Sequence, residues 1–73
     1  MKEYFFYMDL SYKQCLGYYY GHYTSVQVLE DGGKTIRFPA EHLRRFISSI
    51  GIRGRFRLIL DDNNKFLSLE KVI

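Results

Sequence analysis

A chain of 73 residues has room for one domain, residues 1–73, and for little beyond its core, because at this length only about 60% of the unfolded surface is buried. The single Cys15 excludes an internal disulfide framework and a cysteine-based zinc site, and no apolar run is long enough for a signal peptide or a membrane span. A soluble protein of a reducing cytoplasm is expected, with a net charge of +3 and an aromatic share of 18% drawn from seven Tyr and six Phe.

In chain order, Tyr4–Leu10 reads as a first strand, with Tyr4, Phe6, Met8 and Leu10 on one face and Glu3, Phe5, Tyr7 and Asp9 on the other. Both faces carry aromatics, so one is left unexplained by a single core. Ser11-Tyr12-Lys13-Gln14 fits a capping box, in which the Ser11 hydroxyl accepts from the Gln14 backbone and Gln14 reaches back. A short helix follows, with Tyr12, Cys15, Leu16 and Tyr19 as its apolar stripe and Gly21 as its stop. Gly17 weakens it by about 1 kcal/mol relative to Ala.

A second strand is expected over Tyr23–Leu29, where Val26 and Val28 alternate with Ser25 and Gln27. Glu30-Asp31-Gly32-Gly33 turns it into a third, Lys34–Phe38, with Ile36 and Phe38 pointing inward. Pro39 ends that strand, since it has no N–H for a ladder, and its fixed φ suits the first turn of a helix. The spacing of Leu43, Phe46, Ile47 and Ile50 predicts a second helix over Ala40–Ile50, closed by Gly51 with Ile52 in a Schellman contact.

The last segment, Arg53–Ile73, reads as a hairpin. Phe56, Leu58 and Leu60 alternate with Arg55, Arg57 and Ile59, and Leu67 and Leu69 alternate with Ser68 and Glu70. Asp61-Asp62-Asn63-Asn64 joins the two runs, because these side chains hydrogen-bond their own backbone and tolerate left-handed φ. The resulting order, β-α-β-β-α-β-β, predicts an α+β domain with a largely antiparallel, curled sheet of about five strands and two short helices.

The run Phe38-Pro39-Ala40, Leu43-Arg44, Phe46, Gly51-Ile52, Gly54, Phe56, Asp61 and Lys65-Phe66 resembles a family of short, single-domain bacterial proteins of unknown function. Leu10-Ser11 and Tyr19-Tyr20-Gly21 resemble the first half of the same family. The resemblance implies a free-standing cytoplasmic bacterial protein. It implies no activity, cofactor or binding residue.

Charge supplies the sharpest functional signal. Lys34, Arg37, Arg44, Arg45, Arg53, Arg55 and Arg57 stand between residues 34 and 57 against Glu41 alone, and the segments on either side are net acidic. On the expected second helix Arg44 and Arg45 fall off the apolar stripe, and Arg55 and Arg57 share one strand face. If those surfaces adjoin, they form a guanidinium patch able to grip phosphate, with Tyr18, Tyr20 or Tyr23 to stack on unpaired bases. The plain alternative is a solvated face paired with Glu41, Asp61, Asp62 and Glu70. Tyr18-Tyr19-Tyr20 cannot all face a core from one helix, so an exposed tyrosine, extended by Phe5 and Tyr7, also suits a protein partner or a homodimer.

Catalytic and metal chemistry find little support. Asp61-Asp62-Asn63-Asn64 lacks the alternating oxygens, central glycine and terminal Glu of a calcium loop. His22 and His42 have no ligand companion at metal spacing, Cys15 lies on a core stripe, and Gly32-Gly33 lacks a phosphate-loop context. The expectation is a non-catalytic macromolecular interaction module without a cofactor. It binds a protein or itself, or else single-stranded nucleic acid through Arg37, Arg44, Arg45, Arg55 and Arg57 with Tyr18 and Tyr20.

Overall fold

A computed structural model describes residues 1–73. The elements run β1 (Lys2–Leu10), helix α1 (Tyr12–Tyr19), β2 (Ser25–Leu29), β3 (Thr35–Pro39), two 3-10 turns (Ala40–His42 and Arg44–Phe46), β4 (Ile52–Leu60) and β5 (Phe66–Lys71). All strand pairs are antiparallel, and they form two sheets, β1-β4-β5 and β2-β3. The domain is α+β, as its element order predicts.

The two sheets meet on their apolar faces. Phe6, Met8, Phe56, Leu58, Leu60 and Leu69 from the larger sheet pack with Val26, Val28 and Phe38 from the smaller. Phe6 is central, with its ring 6.1 Å from Phe38 and 5.8 Å from Phe56. Cys15, Ala40 and Leu43 close the cluster and are fully buried. Hydrophobic burial on this scale is the main force holding so short a chain together.

Helix α1 begins as its capping box dictates. Ser11 Oγ accepts the Gln14 N–H at 3.2 Å, and Gln14 Oε1 accepts the Ser11 N–H at 2.8 Å. Its buried stripe is narrower than expected. Cys15 is buried and Leu16 and Tyr18 are half-buried, whereas Tyr12 and Tyr19 are exposed. Of these two helical turns Cys15 and Tyr18 pack on the core, and i to i+3 from Cys15 reaches Tyr18 rather than Tyr19. The Tyr23 ring lies where a Cβ on Gly17 would be, which explains a glycine inside the helix.

The expected α-helix over Ala40–Ile50 does not form, and two 3-10 turns stand in its place. Leu43, Phe46 and Ile47 donate their N–H groups to Ala40, Leu43 and Arg44, each three residues back. Ala40, Leu43 and Phe46 face inward with a period of three, the period of a 3-10 helix. Ser48 then ends the segment: its Oγ accepts the Ile50 N–H and donates to the Gly51 carbonyl, and the backbones of Ser48 and Gly51 pair in both directions. Ile50 is left 82% exposed, and Gly51 belongs to a tight turn rather than a Schellman ending.

Both hairpin loops share one plan. Glu30 accepts the N–H groups of Gly32 and Lys34, and Asp61 accepts those of Asn63 and Lys65. In each loop the fourth residue, Gly33 or Asn64, has positive φ. These are type I turns followed by a left-handed residue, a three-to-five-residue hairpin connection. The Asp61 carboxyl is held below its ordinary value, chiefly by the Lys65 backbone N–H and further by that of Asn63. A bulge between Ile59 and Leu60 shifts the register so that Leu69 faces the core and Leu67 faces solvent.

Candidate functional site

The arginines divide by the face on which their strand places them. Odd-numbered residues of β1 and β4 lie on the outer face of the larger sheet, so Arg53, Arg55 and Arg57 stand among the acids of β1. Arg53 Nε lies 3.4 Å from Asp9 Oδ1, and Arg55 pairs with Asp31 at the tip of the β2-β3 loop. Arg57 bridges Glu3 and Glu70, tying β1 and β5 across β4. These carboxylates push the Arg55 and Arg57 guanidinium pKa further upward, chiefly through the hydrogen bonds that Asp31 and Glu3 accept from them. All three charges on this face are compensated within the chain.

Arg44 and Arg45 serve the backbone instead. Arg44 Nε donates to the Tyr18 carbonyl at 3.1 Å, at the end of α1. Arg45 donates to the Leu69 carbonyl on the outer edge of β5 and lies 4.8 Å from the Phe46 ring centroid. The guanidinium patch expected from Arg44, Arg45, Arg55 and Arg57 is thus divided between separate partners on separate elements.

Arg37 bonds neither a carboxylate nor the backbone. Its Nη2 donates to the Gln27 amide oxygen at 3.1 Å on the outward face of β2-β3, and no carboxylate pairs with it. It lies where two shallow grooves meet. The first, of about 410 Å³, is lined by four consecutive residues, Lys34–Arg37, and on its far side by Lys2, Tyr4, Leu60 and Asn64. Four consecutive residues along one wall mean that the groove follows the edge of β3 rather than its face. The ladder phase supports this: the bonds Glu30–Lys34 and Thr24–Ala40 bracket β2-β3, so Thr35 and Arg37 turn their N–H and C=O groups away from β2.

The second groove, of about 470 Å³, lies on the sheet face, where Ser25, Gln27 and Arg37 alternate outward beside Tyr18, His22 and Tyr23. The Tyr18 and Tyr23 rings are 5.2 Å apart and tilted at 57°. Tyr18 is half-buried against the core, while Tyr23 is exposed. Tyr19 and Tyr20 lie beyond it on the surface as an edge-to-face pair at 5.2 Å, with Tyr20 6.2 Å from His22. Neither groove has a carboxylate in its lining.

Burial holds the Cys15 thiol above its ordinary value, against a smaller opposing effect from the Ile52 backbone. The His42 ring stacks on Phe66 at 3.5 Å, and no group of three His, Cys, Asp or Glu is gathered to hold a metal. No helix is long and apolar enough to cross a membrane.

Residues 2–72 match the family described as Protein of unknown function (DUF2835). The chain belongs to this family. No curated protein and no solved structure matches it. DUF2835 membership therefore carries the fold-length unit and leaves the chemistry to be read from the surface.

On that surface Lys2, Tyr4, His22 and Gln27 join Arg37 and Lys34 although the sequence offers no reason to group them. Lys2 reaches the groove because β1 pairs with the end of β4, and its Nζ donates to Asn64 Oδ1 at 2.7 Å. One signal was present in the sequence. Glu3 and Asp9 on one face of a first strand and arginines at alternate positions of another strand suit cross-strand pairing, which removes Arg53 and Arg57 from the list of free cations.

Proposed function

We propose that this chain is a non-catalytic interaction module of a small cytoplasmic bacterial protein, and that it takes an anionic macromolecule on the β2-β3 side. One observation carries the reading. Arg53, Arg55 and Arg57 are neutralised by neighbouring carboxylates, whereas Lys2, Lys34 and Arg37 line one groove that contains none. A local excess of positive charge in a concave surface attracts and steers an anionic partner. A buried thiol and scattered histidines support a binding role over a catalytic one.

Placement rather than total charge is what the test must separate. The double variants Lys34→Ser/Arg37→Ser and Arg55→Ser/Arg57→Ser lose the same formal charge. On a heparin column the first should elute at clearly lower salt than wild type and the second close to it. Equal shifts would leave net charge as the whole explanation.

A second reading, self-association, is favoured by the exposed Tyr19–Tyr20 pair, since tyrosine is enriched at binding hot spots. Sedimentation from low to high micromolar concentration tests it. Tyr19→Ser/Tyr20→Ser should then remove any dimer, and a strict monomer would discard this reading.

A further inference from the structure

We infer that the anionic partner is single-stranded nucleic acid, with phosphates in the groove along the β3 edge and a base in the groove on the β2-β3 face. This rests on the proposed binding of an anionic macromolecule and assigns its class. The two grooves are chemically unlike and share Arg37 as their common wall. The edge groove brings the three cations Lys2, Lys34 and Arg37 together with the outward backbone N–H groups of Thr35 and Arg37, beside the carbonyls of the same edge, and its lining holds no acid. Phosphate oxygens are acceptors only, so this set suits them.

The face groove offers the opposite chemistry. Tyr23 presents an exposed ring beside Tyr18 and His22, and Gln27, Ser25 and Thr24 supply amide and hydroxyl groups at the same place. A ring platform beside neutral hydrogen-bonding groups is how unpaired bases are held, and every base has a face to stack. An acidic peptide would use the cations and leave the platform idle. A duplex keeps its bases stacked inside and would leave it idle as well. A single strand alone presents a phosphate and an unstacked base side by side, as the two grooves sharing Arg37 would take them.

The experiment is fluorescence anisotropy with labelled dodecauridylate, a duplex RNA of equal length and a polyglutamate peptide, each over a salt series. Dodecauridylate should bind tightest at low salt, with log K falling against log[salt] at a slope of about −2, from three contacts at about 0.7 each. Lys34→Ser/Arg37→Ser should weaken it about tenfold and flatten the slope to about −0.7. Tyr23→Leu keeps an apolar group over Gly17 and so preserves the fold, which far-UV circular dichroism verifies. It should weaken binding about tenfold and leave the slope unchanged. Arg57→Ser, on the other sheet face, should alter neither.

Polyglutamate binding as tightly as the oligonucleotide would overturn this assignment and leave the interaction module standing. Equal binding of duplex and single strand, or a Tyr23→Leu affinity equal to wild type, would also overturn it. Binding of none of the three probes would remove the proposed anionic partner itself.

Discussion

At Gly51 the backbone takes φ +99°, and a Cβ there would run into the Leu10 carbonyl oxygen and the Ser11 backbone. Gly33 has a similar φ of +94° with open space around it. The pair separates conformational strain from steric collision. Gly33→Ala should cost about 1–2 kcal/mol for the left-handed backbone alone. Gly51→Ala should cost more, about 3 kcal/mol or above, because the chain around β1 must also shift. Urea midpoints of the two variants check the difference. Asp61 is one residue whose charge bears on folding. Its carboxyl is depressed in the folded state by backbone N–H donors, so its contribution is present above the ordinary aspartate range and is lost as pH falls through the lowered value. Asp61→Asn should therefore narrow the gap between urea midpoints measured at pH 7 and pH 3. An unchanged gap would mean that the loop bonds do not distinguish the charged from the neutral side chain.

Among the elements, the segment after Pro39 teaches most. Leu43, Phe46, Ile47 and Ile50 satisfy an α-helical stripe on paper, yet Ala40, Leu43 and Phe46 satisfy a period of three equally well. Local competition decides between them. Ser48 offers its hydroxyl to the backbone of Ile50 and Gly51, and the helix has no reason to pass it. The consequence is measurable. Leu43→Ala should lose about 2–4 kcal/mol, as expected for a fully buried leucine, whereas Ile50→Ser should stay within about 0.5 kcal/mol of wild type. An α-helix would penalise both. The strands were legible because alternation reports a buried face directly, as with Phe56, Leu58 and Leu60. The bulge before Leu60 was not, since one extra residue flips Leu67 outward without a mark in the sequence.

For the molecule as a whole, alternation along strands does not say which edges meet. The division into a three-stranded and a two-stranded sheet arises from pairing β1 with β4, a long-range choice made by the joint burial of Phe6, Phe38 and Phe56. Phe6→Ala removes the ring common to both sheets and should cost about 3–5 kcal/mol, most of what so small a domain has. Thermal melting followed in the near-UV should show the transition lost or shifted far down. The candidate site was half legible for the same reason. Arg37, Tyr18 and Tyr20 lie on the proposed side or beside it, but Arg55 and Arg57 face acids contributed by a distant loop and a distant strand, and Lys2 arrives only through the β1-β4 register. Composition shows how many cations there are; the partners that silence them belong to tertiary structure.

That same register has a bearing on biosynthesis. β1 is synthesised well before its partner strand, since Phe6 and Met8 pair across to Phe56 and Gly54 of Ile52–Leu60. Until translation reaches it, a Tyr-Phe-Phe-Tyr-Met stretch of high β-propensity stands unshielded, and any neighbouring nascent chain offers it an edge. Slow synthesis or truncation before Ile52 thus exposes a seed for aggregation that the finished protein conceals.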